Sequence, residues 1–193
     1  MAVHKRTKIR MANLVATIER ESNRDKGVAA NMLLAQGWEF EGASTREVYS
    51  KGNLVIKLER QGHFLDQNRR EAASLIHRIT PLGKPLDREH EMPSGRCLKF
   101  VAPEFVAISP KYTMLVTTKL TRPHRDYECR VNPEGRCPEC RVDYLSGLDE
   151  RYLRDHVTTD SCSANFWATD KEVRLFDLGY SANDLLPNDM EFA

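Results

Sequence analysis

The chain has 193 residues, 40% hydrophobic and 30% charged, which is enough to bury a real core in one compact unit, with room for two lobes. Its formal net charge of +1 argues for neither nucleic acid nor membrane as a partner through bulk electrostatics. Lys5, Arg6, Lys8 and Arg10 are followed by no apolar stretch of signal length, so neither a secretion signal nor a membrane span is expected. The chain is therefore read as cytoplasmic with reduced thiols, and its basic N-terminus as a solvated tail rather than an RNA or DNA contact.

Met11, Leu14, Val15 and Ile18 recur at helical spacing, and a second helix is expected from Val28 to Gln36, ended by Gly37. These helices form a first segment, residues 1–36, expected to brace the strands that follow. Core packing accounts for their apolar stripe better than a partner-binding face does. Two extended stretches come next, Glu39 to Tyr49 and Asn53 to Glu59, joined by a turn at Ser50-Lys51-Gly52. The first contains Gly42-Ala43-Ser44-Thr45-Arg46, mostly small residues whose backbone suits closure over phosphates. The second, Leu54-Val55-Ile56-Lys57, sets a lysine at the end of an apolar run. Leu65 to Ile76 predicts a helix with Asp66 as its cap and Leu75 and Ile76 apolar at its far end. Gly83 to Gly95 reads as a loop rich in proline and charge. Arg96 to Val101 and Tyr112 to Val116 are expected to pair and close the sheet, kept short by the surrounding prolines.

His124, Cys129, Cys137 and Cys140 then form a strong local signal. Two cysteines separated by two residues, in a loop carrying Pro133 and Gly135, bring two thiolates to one side of a Zn²⁺ ion. Cys129 supplies a third ligand, and His124, His156 or Cys162 the fourth, giving a closed structural site. Leu145, Leu148, Tyr152 and Leu153 predict a helix leading to Asp160. Asn165 stands five residues after Asp160, and Asp177 twelve further on, after the alternating run Glu172 to Phe176. That spacing suits a magnesium-nucleotide site, where one carboxylate sits by the attacking hydroxyl while an amide oxygen and a second carboxylate hold Mg²⁺ against the phosphates.

Taken in order, the small-residue loop ending in Val48-Tyr49, Val55-Ile56-Lys57, a helix with Glu71, Asp160 with Asn165, and Asp177-Leu178-Gly179 resemble the protein kinase-like superfamily. The closest likeness is to the small kinase-like proteins encoded by tailed bacteriophages. The resemblance implies that Gly42 and Ser44 belong to the phosphate loop and that Lys57 meets the α- and β-phosphates of ATP. A carboxylate would hold the lysine in place, with Glu71 preferred and Glu59 a nearer rival in sequence. Thr117, with Thr118 and Lys119, would form the hinge whose backbone binds adenine. Asp160 would accept the hydroxyl proton, while Asn165 and Asp177 would hold Mg²⁺. The chain departs from the family where Ser44 and Arg46 replace glycines, Thr158-Thr159 replace His-Arg, and Leu178 replaces Phe. Only residues 180–193 follow Gly179, which implies a shortened substrate lobe.

The expected fold is α+β, a minimal kinase-like fold. Its antiparallel-sheet N-lobe and hinge would occupy residues 37–119, and a truncated helical C-lobe with a zinc knuckle residues 120–193. The expected activity is ATP- and Mg²⁺-dependent phosphotransfer to Ser or Thr of host bacterial proteins or of the protein itself, in the host cytoplasm. Two further classes are open: a pseudokinase-like binding protein that inhibits a host partner, and a small-molecule kinase or nucleotidyltransferase on the same fold.

Overall fold

The computed structural model describes residues 3–43, 46–59, 67–120, 145–157, 166–168, 171–176 and 178. In chain order the helices are α1 (Lys5–Glu21), α2 (Lys26–Ala35), α3 (Gln67–His77) and α4 (Gly147–His156). The strands are β1 (Glu39–Ala43), β2 (Arg46–Lys51), β3 (Leu54–Glu59), β4 (Glu89–Glu91), β5 (Cys97–Val101), β6 (Phe105–Ile108), β7 (Met114–Thr118), β8 (Phe166–Ala168) and β9 (Glu172–Leu175). The α+β chain divides into two units, Met1–Ile76 with Pro103–Lys119, and His77–Ala102 with Leu120–Ala193.

In the first unit α1 begins at His4, whose ring nitrogen accepts from the Arg6 amide at 3.2 Å. It turns Met11, Val15 and Ile18 inward, one helical turn apart. Asp25 caps α2 by accepting from the Val28 amide at 2.9 Å. The helix ends in a Schellman turn: Gly37, at φ +76°, donates to the Leu34 carbonyl, and Trp38 donates to that of Leu33. Trp38 is then buried with the α1 stripe. Nothing lies closer than 3.6 Å to a methyl placed on Gly37, so Gly37→Ala is expected to cost only backbone strain. That strain is about 1 to 2 kcal/mol, measurable by urea unfolding.

The helices cover one face of an antiparallel five-stranded sheet in the order β1-β2-β3-β7-β6. Because strand side chains alternate, Leu54, Ile56 and Leu58 of β3 join Tyr49, Met114 and Val116 in the core beneath α1 and α2. Tyr49 donates to Glu47 Oε2 at 2.7 Å, and burial, followed by that bond and the charge of Glu47, pushes its phenol well above the usual range. The β2–β3 turn is Gly52-Asn53, with Gly52 at φ +61°. It falls later than the expected turn because Ser50 and Lys51 are still paired, with Val55 and Leu54.

The β6–β7 connection is fixed from α1. Buried Glu19 accepts from Ser109 Oγ at 2.6 Å, the Lys111 amide at 2.8 Å, and Thr113 through both its amide at 3.3 Å and its hydroxyl at 2.5 Å. A buried carboxylate is tolerable when donors surround it in this way.

The second unit holds a four-stranded sheet, β4-β5-β9-β8, in which β5 and β9 are parallel and the other pairs antiparallel. The expected pairing of Arg96–Val101 with Tyr112–Val116 is not found. β5 lies between β4 and β9, burying Leu98 and Phe100, whereas β7 lies between β3 and β6. His77–Ala102, read above as part of a 37–119 segment, therefore clusters with the residues after Lys119, where β5 finds its partner. The expected loop from Gly83 to Gly95 contains β4, a short edge strand whose His90 ring stacks on Phe100 at 4.2 Å. Charged Glu89 and Glu91 on either side of His90 suit an edge. In α4, Ser146 caps the helix by accepting from the Asp149 amide at 3.2 Å, and Leu153 is buried while Leu148 is exposed.

Candidate functional site

The sheet face opposite α1 and α2 carries the side chains of Val55, Lys57 and Glu59 from β3. Opposite them stand Ser50, Val48 and Arg46 of β2. On the other side Thr117 and Leu115 of β7 are the partners of Val55 and Lys57. Onto this face α3 brings Asn68 and Glu71, both buried and one helical turn apart.

Lys57 and Glu71 meet there. The Lys57 ammonium lies 2.7 Å from Glu71 Oε1 and 2.9 Å from Oε2. Arg46 Nη2 approaches the same Oε2 at 2.8 Å, and Arg46 Nη1 donates to Asn68 Oδ1 at 2.9 Å. Asn68 in turn donates through Nδ2 to the carbonyls of Lys57 at 3.1 Å and Tyr112 at 3.0 Å. Glu59, the other carboxylate considered, accepts from the Asn68 amide in the first turn of α3 at 2.6 Å. Relative exposure is 0% for Glu71 and Asn68, 2% for Arg46 and 6% for Lys57.

Burying charges costs several kcal/mol per ion, and an apolar pair of equal volume often stabilises a fold as well or better. A buried lysine–glutamate pair in the middle of a sheet face therefore calls for a reason beyond stability. Arg46 and Asn68 were not among the sequence candidates. Arg46 reads as a replaced glycine in a phosphate loop, yet the period of two along the β2–β3 hairpin sets it on the same face as Lys57. The spacing of Asn68 from Glu71, three residues, is likewise one helical turn.

Gly42 occupies a register shift in β1, between Phe40 and Gly42, and nothing lies within 4 Å of a methyl placed on it. Ser44 and the Asp66 cap lie outside the described residues. Thr117 is buried on the Lys57 face. The amides beyond it are engaged within the unit, Thr118 with the Glu104 carbonyl at 3.0 Å and Lys119 with the Asn53 carbonyl at 2.7 Å. A hinge drawn from these residues keeps neither amide for adenine.

Asp160, Asn165 and Asp177 lie outside the described residues, as do His124, Cys129, Cys137, Cys140 and Cys162. His156 is described, at the end of α4 with its ring 4.7 Å from that of Tyr152. Among the described residues no group of three or more His, Cys, Asp or Glu is arranged to hold a metal ion, and no helix is long and apolar enough to cross a membrane. The β8–β9 hairpin pairs Phe166 with Leu175, so the chain enters β8 and leaves β9 at the same end. In sequence, Asn165 immediately precedes Phe166, and Asp177 stands two residues after Leu175.

Comparison with protein-family models, curated proteins and solved structures finds no match to this chain.

Proposed function

We propose that this chain is a small kinase-like phosphotransferase that moves the γ-phosphoryl group of ATP, with Mg²⁺, to Ser or Thr hydroxyls of host bacterial proteins or of itself. The observation that carries the reading is the buried Lys57–Glu71 pair, with its lysine on β3 and its carboxylate on α3, the next element of the chain. In protein kinases a lysine of the third strand meets the α- and β-phosphates and is held by a glutamate of the helix that follows. The β8–β9 hairpin supports the same reading, since its ends adjoin Asn165 and Asp177 in sequence.

In this reading the bond between the γ-phosphorus and the ADP oxygen breaks as the acceptor hydroxyl forms its own bond to phosphorus, and Asp160 takes the hydroxyl proton. Bound Mg²⁺ would neutralise the developing phosphate charge, held by Asn165 and Asp177. The minimal kinase-like architecture, and a structural Zn²⁺ on Cys129, Cys137 and Cys140 with His124, His156 or Cys162, belong to the same proposal. The engaged amides of Thr118 and Lys119 favour a second reading, a binding protein that keeps the ion pair without turning over ATP.

Incubation with γ-labelled ATP and Mg²⁺, alone and with bacterial lysate, separates the two. Transfer of label to the protein or to lysate bands, lost in both Asp160→Asn and Asp177→Ala, is the expected result. Absence of label in the wild type despite measurable nucleotide binding would favour the binding protein. Label carried over from α-labelled ATP would instead indicate nucleotidyl transfer.

A further inference from the structure

Building on the nucleotide reading above, we infer that Arg46 is a positioning residue for phosphate binding at Lys57: it keeps Glu71 oriented and its charge answered when Lys57 turns toward a phosphate. The ammonium of Lys57 has three donors, and both Glu71 oxygens lie within their reach at 2.7 and 2.9 Å. A phosphate that draws Lys57 away weakens the pairing of a fully buried carboxylate, and this penalty opposes binding. Arg46 limits it, because its own 2.8 Å contact with Glu71 Oε2 does not pass through Lys57.

The guanidinium is itself held. Its other terminal nitrogen bonds Asn68 Oδ1 at 2.9 Å, and Asn68 is fastened by its amide group to the carbonyls of Lys57 and Tyr112. The guanidinium thus hydrogen-bonds Asn68 and sets its charge 2.8 Å from Glu71 Oε2, one turn further along α3. Arg46 is also the first residue of β2, directly after the small-residue stretch from Gly42 to Thr45. The start of β2 is thus tied to the helix that carries Glu71.

The test compares the binding of Mg-ATP with that of adenosine, by calorimetry, for the wild type, Arg46→Gln and Arg46→Lys. Gln keeps a donor for Asn68 but brings no charge to Glu71; Lys restores the charge. Arg46→Gln is expected to lose roughly tenfold in ATP affinity, the size of one charge-assisted contact, with adenosine affinity unchanged. Arg46→Lys is expected to recover most of that loss. The inference is overturned if Arg46→Gln keeps the wild-type preference for ATP over adenosine, or loses affinity for both ligands equally. Should Arg46→Gln fail to fold, Arg46→Lys decides: a folded Lys variant with no ATP preference overturns the role of the charge, and one that keeps it supports that role. A wild type that binds ATP no better than adenosine removes the nucleotide reading and this inference together, whereas the variants act on this inference alone.

Discussion

Lys57→Met is expected to lower phosphotransfer by about a hundred- to a thousandfold, the usual effect of removing one preorganised electrostatic contact to the transition state, while the protein remains folded. Folding survives because Glu71 retains Arg46 at 2.8 Å, so the substitution does not strand a buried anion. Methionine also fills much of the volume of the lysine stem, and the Asn68 bond to residue 57 uses a backbone carbonyl. Initial rates of label incorporation, set beside thermal unfolding of the same samples, check both halves. A variant as active as the wild type would remove Lys57 from the chemistry. One that is inactive only because it is unfolded would show that the ammonium serves the fold.

Glu71→Ala has the opposite profile, with a stability loss of about 3 to 5 kcal/mol, the range for removing one member of a buried ion pair. Both Arg46 and Lys57 direct charge at this carboxylate, and the truncation adds a cavity on the inner side of α3. Against a total of about 5 to 15 kcal/mol for a domain, such a loss approaches complete unfolding of the first unit. Urea titration followed by circular dichroism measures it, and Glu71→Gln, which keeps the volume and two polar atoms, is expected to fall between Ala and the wild type. A cost below about 1 kcal/mol would mean that other carboxylates already balance the two cations.

The local elements were legible where periodicity and caps agree. The stripe of Met11, Val15 and Ile18 marks α1, and Gly37 ends α2 at a left-handed position that a side chain resists. The Val55–Lys57 strand was legible as an apolar run after a turn, and the helix carrying Glu71 from its helix-forming residues and the apolar pair at its far end. Strand partners were not. Cys97–Val101 and Met114–Thr118 are both short runs of alternating or continuous apolar residues, and nothing in such a run names the strand beside it. β4 was hidden by its glutamates and the flanking prolines, because an edge strand needs no apolar pattern on its outer side. Arg46 was missed because a motif comparison reads it as a lost glycine, while the pleat reads it as a neighbour of Lys57 across one sheet face.

The first unit is discontinuous: the chain leaves it after Ile76 and returns at Pro103. During synthesis, therefore, the β1–β3 meander emerges with the inner edge of β3 open, and that edge closes only when β7 arrives some fifty residues later. Until then α1 carries Glu19 without the β6–β7 donors that surround it in the finished sheet. The nascent chain thus passes through an interval in which β3 is available to other strands, the condition under which aggregation competes with folding. The order of synthesis makes residues 103–119 the latch of a sheet begun by residues 39–59. A chain stopped at Ala102 holds every residue of the Lys57–Arg46–Glu71 cluster yet lacks the two strands that complete its platform.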